Sequence, residues 1–162
     1  SRSTSRDFEL LVAGEMGVWN LQPAKDAMLA ANTQRIAEMR SCFGYGLYAM
    51  AACFNRAKSR LHSEQVGGAY YRLNDYESSL KRSSSPDIAI SSPDAELRLA
   101  ELVSSIKRRN KVVFVLLEKE GFESFRTIRS AANSIDLDLG WEPWATHGVI
   151  YFGSGGRSLT IQ

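Results

Sequence analysis

Apolar and polar positions alternate differently in the two halves of the chain. Near the N-terminus, Phe8-Glu9-Leu10-Leu11-Val12-Ala13 reads as a strand. Gly14-Glu15-Met16-Gly17 follows as a turn and Val18-Trp19-Asn20-Leu21 as the returning strand of a hairpin. Pro23 suits the first turn of a helix, where its missing N–H costs nothing. From Ala24 to Ser41, Met28, Ile36 and Met39 form a loose stripe that runs on to Phe43. Gly44-Tyr45-Gly46 interrupts it, because each glycine is about 1 kcal/mol worse than alanine in a helix. A second helix is predicted from Leu47 to Ser63, with Met50, Phe54 and Leu61 as core residues. Residues 24–63 are therefore read as a long helical insertion. Gly67-Gly68 closes it and Ala69–Leu73 makes a short strand. The serine-rich stretch 77–92, up to Pro93, reads as a flexible surface connection around the brief apolar run Ile88-Ala89-Ile90.

The C-terminal half has a clearer period. Ser92 is placed as N-cap, Pro93 as first helical residue, and Asp94 and Glu96 at the positive end of the helix dipole. Leu99, Leu102, Val103 and Ile106 give the buried stripe. Lys111 to Leu117 is apolar on both faces, as expected of a strand covered on both sides. Glu118-Lys119-Glu120-Gly121 turns into a helix from Glu123 to Ile135, packed through Phe125, Ile128, Ala131, Ala132 and Ile135. A strand at 138–142 follows. Val149–Phe152, Gly153-Ser154-Gly155-Gly156 and Ser158–Ile161 spell a closing hairpin. This order predicts an α/β (α+β) fold: one mixed β-sheet with helices packed on it, terminal β-hairpins and the helical insertion. Residues 1–6 are a polar tail, and 7–162 form a single domain.

The composition is that of an ordinary globular chain. The 162 residues are 44% apolar and 23% charged, enough for one core without staples. No run of about 18 apolar residues is present to span a bilayer. The net charge of +2 is too small to imply a polyanion partner by itself. A chain that starts on Ser1 reads as a processed or excised product, which leaves room for an anchor or targeting segment outside it. Cys42 and Cys53 would lie about 16 Å apart on one continuous helix. A bond between them would need the chain to fold back at Gly44 or Gly46, so two buried free thiols among small residues are expected.

No motif for phosphate, dinucleotide, zinc-protease or nucleophile-elbow chemistry occurs. Gly153-Ser154-Gly155-Gly156 sits between strand-like runs and reads as a turn rather than a phosphate loop. His62 is placed as a cap at a basic helix end. His147 follows Trp141-Glu142-Pro143-Trp144 and can share a cleft with Glu142, with Ser154 as a remote nucleophile. No spacing ties the three together, so no catalytic residue is assigned and a small hydrolase centred on His147 is the last alternative. Trp141, Glu142, Trp144 and His147 are instead taken as interaction residues, the two tryptophans forming a rigid aromatic corner.

Two basic clusters, Arg56/Lys58/Arg60 and Lys107/Arg108/Arg109/Lys111, fall at predicted helix C-termini, where cations are favoured anyway. With Tyr70 and Tyr71 as stacking surfaces they form the candidate contact for nucleic acid or anionic lipid headgroups. No metal site and no cofactor is expected.

The rhythm of Lys111 to Trp144 is a valine-rich strand, the turn Glu120-Gly121-Phe122, the helix start Ser124-Phe125-Arg126, and then Leu139-Gly140-Trp141-Glu142-Pro143. It resembles uncharacterised proteins of planctomycete type. Their soluble domain is similar to the periplasmic part of biopolymer-transport proteins of the ExbD/TolR kind. The early hairpin from Leu10 to Pro23 fits the same pattern. Glu118-Lys119-Glu120-Gly121 stands where that family usually has a basic-Pro-Asp-Gly turn, and Ala24–Ser63 lies outside the pattern. The resemblance implies a non-enzymatic, envelope-associated domain on the periplasmic side, joined to the membrane only through segments outside this chain. Without it the expected compartment is the cytoplasm. The functional expectation is a non-catalytic interaction or scaffold domain with a protein partner or a second copy. A nucleic-acid-binding module using the basic helix ends is the less favoured alternative.

Overall fold

The two apolar strand sequences, 8–13 and 111–117, become neighbours at the centre of the molecule. The computed structural model describes residues 7–60, 62–74 and 76–153. In chain order they form β1 (Phe8–Ala13), β2 (Gly17–Asn20), α1 (Gln22–Ser41), a short 3-10 turn (Cys42–Gly44) and α2 (Leu47–Ser59). Then come β3 (His62–Val66), β4 (Ala69–Leu73), β5 (Glu77–Arg82), β6 (Ile88–Ala89) and α3 (Ala95–Arg108). The order closes with β7 (Val112–Glu118), α4 (Phe122–Asn133), β8 (Leu139–Trp144) and β9 (Val149–Gly153).

These elements make an α+β fold with two sheets. The first has the order β6-β2-β1-β7-β8. Its strands β1, β7 and β8 are parallel to one another, β2 runs antiparallel to β1, and β6 runs antiparallel to β2. The second sheet, β3-β4-β5-β9, is antiparallel throughout. One face of the first sheet, with Leu11, Ala13, Val113, Val115 and Leu117, packs on Leu99, Val103 and Ile106 of α3 and Phe125, Ile128 and Ala132 of α4. The other face, with Leu10, Val12, Trp19 and Leu116, packs on Met28 and Ala31 of α1 and on Tyr71, Leu80 and Ile150 of the second sheet. The central strands are therefore buried on both sides, which is why their sequences are continuous apolar runs.

Backbone details fix the corners. A Cβ on Gly121 would lie 2.2 Å from the Ala13 carbonyl oxygen, so only glycine lets α4 start this close to the end of β1. Asn110, at φ 57°, reverses the chain after α3. Its N–H donates to the Lys107 carbonyl and that of Lys111 to the Ile106 carbonyl, satisfying carbonyls left open at the helix end.

Several expectations are corrected. Two sheets replace the single mixed sheet, because β3, β4, β5 and β9 pair among themselves. The helical insertion ends at Ser59 rather than Ser63, and His62 opens β3 instead of capping a helix. The stretch read as a flexible connection at 77–92 contains β5, an inner strand of the second sheet. Leu80 and Arg82 point inward there, and the serines lie on a strand rather than in a loop. α3 begins at Ala95 with Asp94 as cap, since Ser92 accepts the Ala95 N–H in a preceding turn. Cys42 and Cys53 form a disulfide with Cα atoms 5.7 Å apart. The break at Gly44-Tyr45-Gly46 folds α2 back along α1 and removes the separation that free thiols assumed. The tail 1–6, Leu61 and the returning strand Ser158–Ile161 with the glycine turn before it lie outside the described residues.

Candidate functional site

β8 carries three of the four interaction residues, and the turn after it carries the fourth. It lies at the end of the first sheet, with β7 as its strand neighbour among the described residues. Alternation along the strand sends Trp141 to the α3/α4 side, where its ring lies 5.6 Å from that of Phe125 and 49% of the residue is exposed. Trp144 turns the opposite way and packs against the second core. The tryptophans therefore do not form one aromatic corner, because positions three apart on a strand face opposite sides. Gly148 seats against the Trp144 indole: a Cβ there would lie 2.5 Å from Nε1. His147 stands exposed at φ 60°, inside the turn closed by the Gly148 N–H donating to the Ala145 carbonyl at 2.8 Å. Among the described residues it makes no hydrogen bond or ion pair, with Glu142 or any other group.

The basic clusters differ in what holds them. At the C-terminal end of α3, Lys107 donates to the Ile135 carbonyl, and Arg109 pairs with Glu9 and reaches Ser105 Oγ at 3.1 Å. Lys111 lies 4.0 Å from the same Glu9 carboxylate. Glu9 is buried, so this cluster neutralises an interior charge and leaves Arg108 as its free cation among the described residues. At the end of α2, Arg60 pairs with Glu38 at 2.7 Å, while Arg56 and Lys58 are exposed and form no ion pair among the described residues.

The tyrosine pair is split by the pleat. Tyr71 points inward and its hydroxyl donates to Glu64 Oε1 at 3.3 Å. Burial, and then the Glu64 carboxylate, raise its pKa above the ordinary tyrosine value. Tyr70 points outward, onto a face not anticipated from the sequence. Register places Tyr70 beside Lys81 and Val149, and Arg72 beside Ser79 and Tyr151. Together they line a shallow concavity of about 410 Å³. The alternation within 69–73 and 77–82 would have revealed it had the two segments been paired as strands.

Between the sheets, Arg82 Nε and Nη2 donate to Glu118 Oε2 and Oε1 at 2.6 and 2.9 Å. The guanidinium also lies 4.1 Å from the centre of the Trp19 ring. This closed cluster locks the second sheet to the first. Among the described residues no group of three or more His, Cys, Asp or Glu is placed to hold a metal, and no helix is long and apolar enough to cross a membrane. Comparison with protein-family models, with curated proteins and with solved structures finds no match.

Proposed function

We propose that this chain is a non-catalytic protein-contact domain, the soluble part of a larger envelope-associated protein of the ExbD/TolR-like kind, and that it docks along β8. The observation that carries this reading is the half-exposed Trp141 on β8, the edge strand among the described residues, already fixed in orientation by Phe125. A rigid indole beside a strand edge that no described residue pairs favours strand addition by a partner or a second copy. Pro143 lacks an N–H, which confines new pairing to the stretch before it. The Cys42–Cys53 disulfide supports an oxidising compartment such as a periplasm.

A photo-reactive residue replacing Trp141 tests the docking site. It should crosslink to a second chain, whereas the same residue at exposed Arg108 should not. Trp141→Ser should weaken any self-association by about tenfold or more, in keeping with tryptophan hot spots. Equal crosslinking from both positions, or a His147-dependent hydrolysis, would reverse the reading. The second reading, nucleic-acid binding, is better served by the Tyr70–Arg72–Lys81–Tyr151 face than by the helix ends. Tyrosines flanked by cations suit stacked bases on a sheet. Salt-sensitive binding of single strands lost on Tyr70→Ala with Tyr151→Ala would favour it.

A further inference from the structure

The turn between α1 and α2 exposes large apolar side chains that no described element covers. Phe43 is 68% exposed, Leu47 74% and Tyr48 90%, with Tyr45 exposed between them. α2 buries only Ala57 among its residues. Scattered exposed apolar residues are normal, but four within six positions at the tip of a protruding hairpin form a patch. The tip is also ordered: Phe43 meets Phe54 edge-on at 5.3 Å, and the Cys42–Cys53 bond ties the two helices just behind it.

Charge distinguishes the surface that fits this tip. From Met39 to Arg60 the chain carries Arg40, Arg56, Lys58 and Arg60 and no acidic residue. Arg60 is engaged by Glu38, while Arg40, Arg56 and Lys58 form no ion pair among the described residues. Arg56 lies eight residues beyond Tyr48, about 12 Å along the helix at 1.5 Å per residue. Apolar groups that enter a bilayer interface by about 5–10 Å would then leave the cations at headgroup level. A convex apolar tip backed by unpaired cations is complementary to an anionic lipid surface rather than to a groove.

We infer that the α1–α2 hairpin is a peripheral membrane contact, inserting Phe43, Tyr45, Leu47 and Tyr48 into an anionic phospholipid surface with Arg40, Arg56 and Lys58 at the phosphates. This contact is independent of docking at β8. The hairpin crosses nothing; it rests in the interface and orients the domain on the bilayer.

Sedimentation with vesicles tests it, using the disulfide-intact chain and phosphatidylcholine vesicles with or without an equal part of phosphatidylglycerol. The chain should bind the anionic vesicles and bind pure phosphatidylcholine much less. Leu47→Ser with Tyr48→Ser should lower binding by about tenfold or more, since both apolar groups enter the interface. Arg56→Ser with Lys58→Ser should lower it by about tenfold at low salt. Arg126→Ser with Arg129→Ser removes the same charge from α4 and should change binding less than about twofold, because those cations lie outside the contact. All six positions are exposed, and unchanged thermal melting will confirm folding. No sedimentation, or equal losses from the two charge pairs, overturns the inference. So does a lipid-free dimer that Leu47→Ser with Tyr48→Ser dissociates, which would make the tip a protein interface.

Discussion

The body of the molecule and the α1–α2 hairpin hold themselves together by opposite means. In the body, β1 and β7 are covered on both faces, and Leu10, Leu11, Val115 and Leu116 have almost no contact with solvent. Its stability is distributed over two cores, which transfer free energy and close packing maintain. α2 has one buried side chain and a covalent tie to the turn before it. A region that hides its apolar groups needs no staple, and one that displays them does. The difference marks where the fold spends sequence on stability and where it keeps surface for contact.

The contrast can be broken first inside the body. Arg82→Ala leaves Glu118 buried without its bidentate partner and should cost about 3–5 kcal/mol in denaturant unfolding. Arg82→Met combined with Glu118→Leu should recover most of that loss, because no charge is left stranded. Leu116→Ala, at a site with no solvent access, should cost about 2–5 kcal/mol by the same measurement. A loss below about 1 kcal/mol would mean that β7 is not the double-sided strand described.

The hairpin should respond more weakly and more locally. Cys53→Ser opens the short loop between Cys42 and Cys53 and should cost about 2–3 kcal/mol on chain-entropy grounds. Hydrogen exchange should rise across α2 while β7 stays protected, if the two regions are as separable as their packing implies.

The smallest effect concerns pH. Tyr71 has a raised pKa in the folded chain, so its contribution to stability is complete below the unfolded value of about 10. That contribution is lost as pH rises through the folded value. Tyr71→Phe should flatten the alkaline end of the stability profile and leave neutral pH nearly unchanged. An alkaline profile identical in the two proteins would mean that Tyr71 does not set it.

What the residues revealed before folding follows from how local each signal is. The helix–strand–helix–strand order from α3 to β8 was legible because Leu99, Val103 and Ile106 keep a helical period and 111–117 is uniformly apolar. The second sheet was not. β5 carries one inward apolar residue, Leu80, among serines and charges, and Arg82 counts as an interior residue only because Glu118 lies opposite. β3, His62–Val66, is largely exposed, and Val66 is its one apolar residue packed on the second core. The disulfide was hidden for a similar reason: fold-back at Gly44–Gly46 was recognisable as a requirement but not as an event. Trp141, Glu142 and Trp144 lie together on β8, but their split across the sheet depends on the pairing with β7, which no local signal carries. Phe43, placed on the apolar stripe by its spacing, is exposed, because periodicity cannot tell a buried stripe from a displayed one.

The pairing of β9 with β5 has a kinetic consequence. Strands β3, β4 and β5 are consecutive, but the fourth member of their sheet arrives only after β6, α3, β7, α4 and β8 have been traversed. During synthesis from the N-terminus, β5 waits with one edge unpaired until residues 149–153 emerge. The first sheet has the same delay, since β1 waits for β7. Both sheets therefore close late and through contacts distant in sequence, a topology associated with slow folding and with aggregation before completion. A chain shortened before Val149 would keep the waiting edge of β5 permanently open.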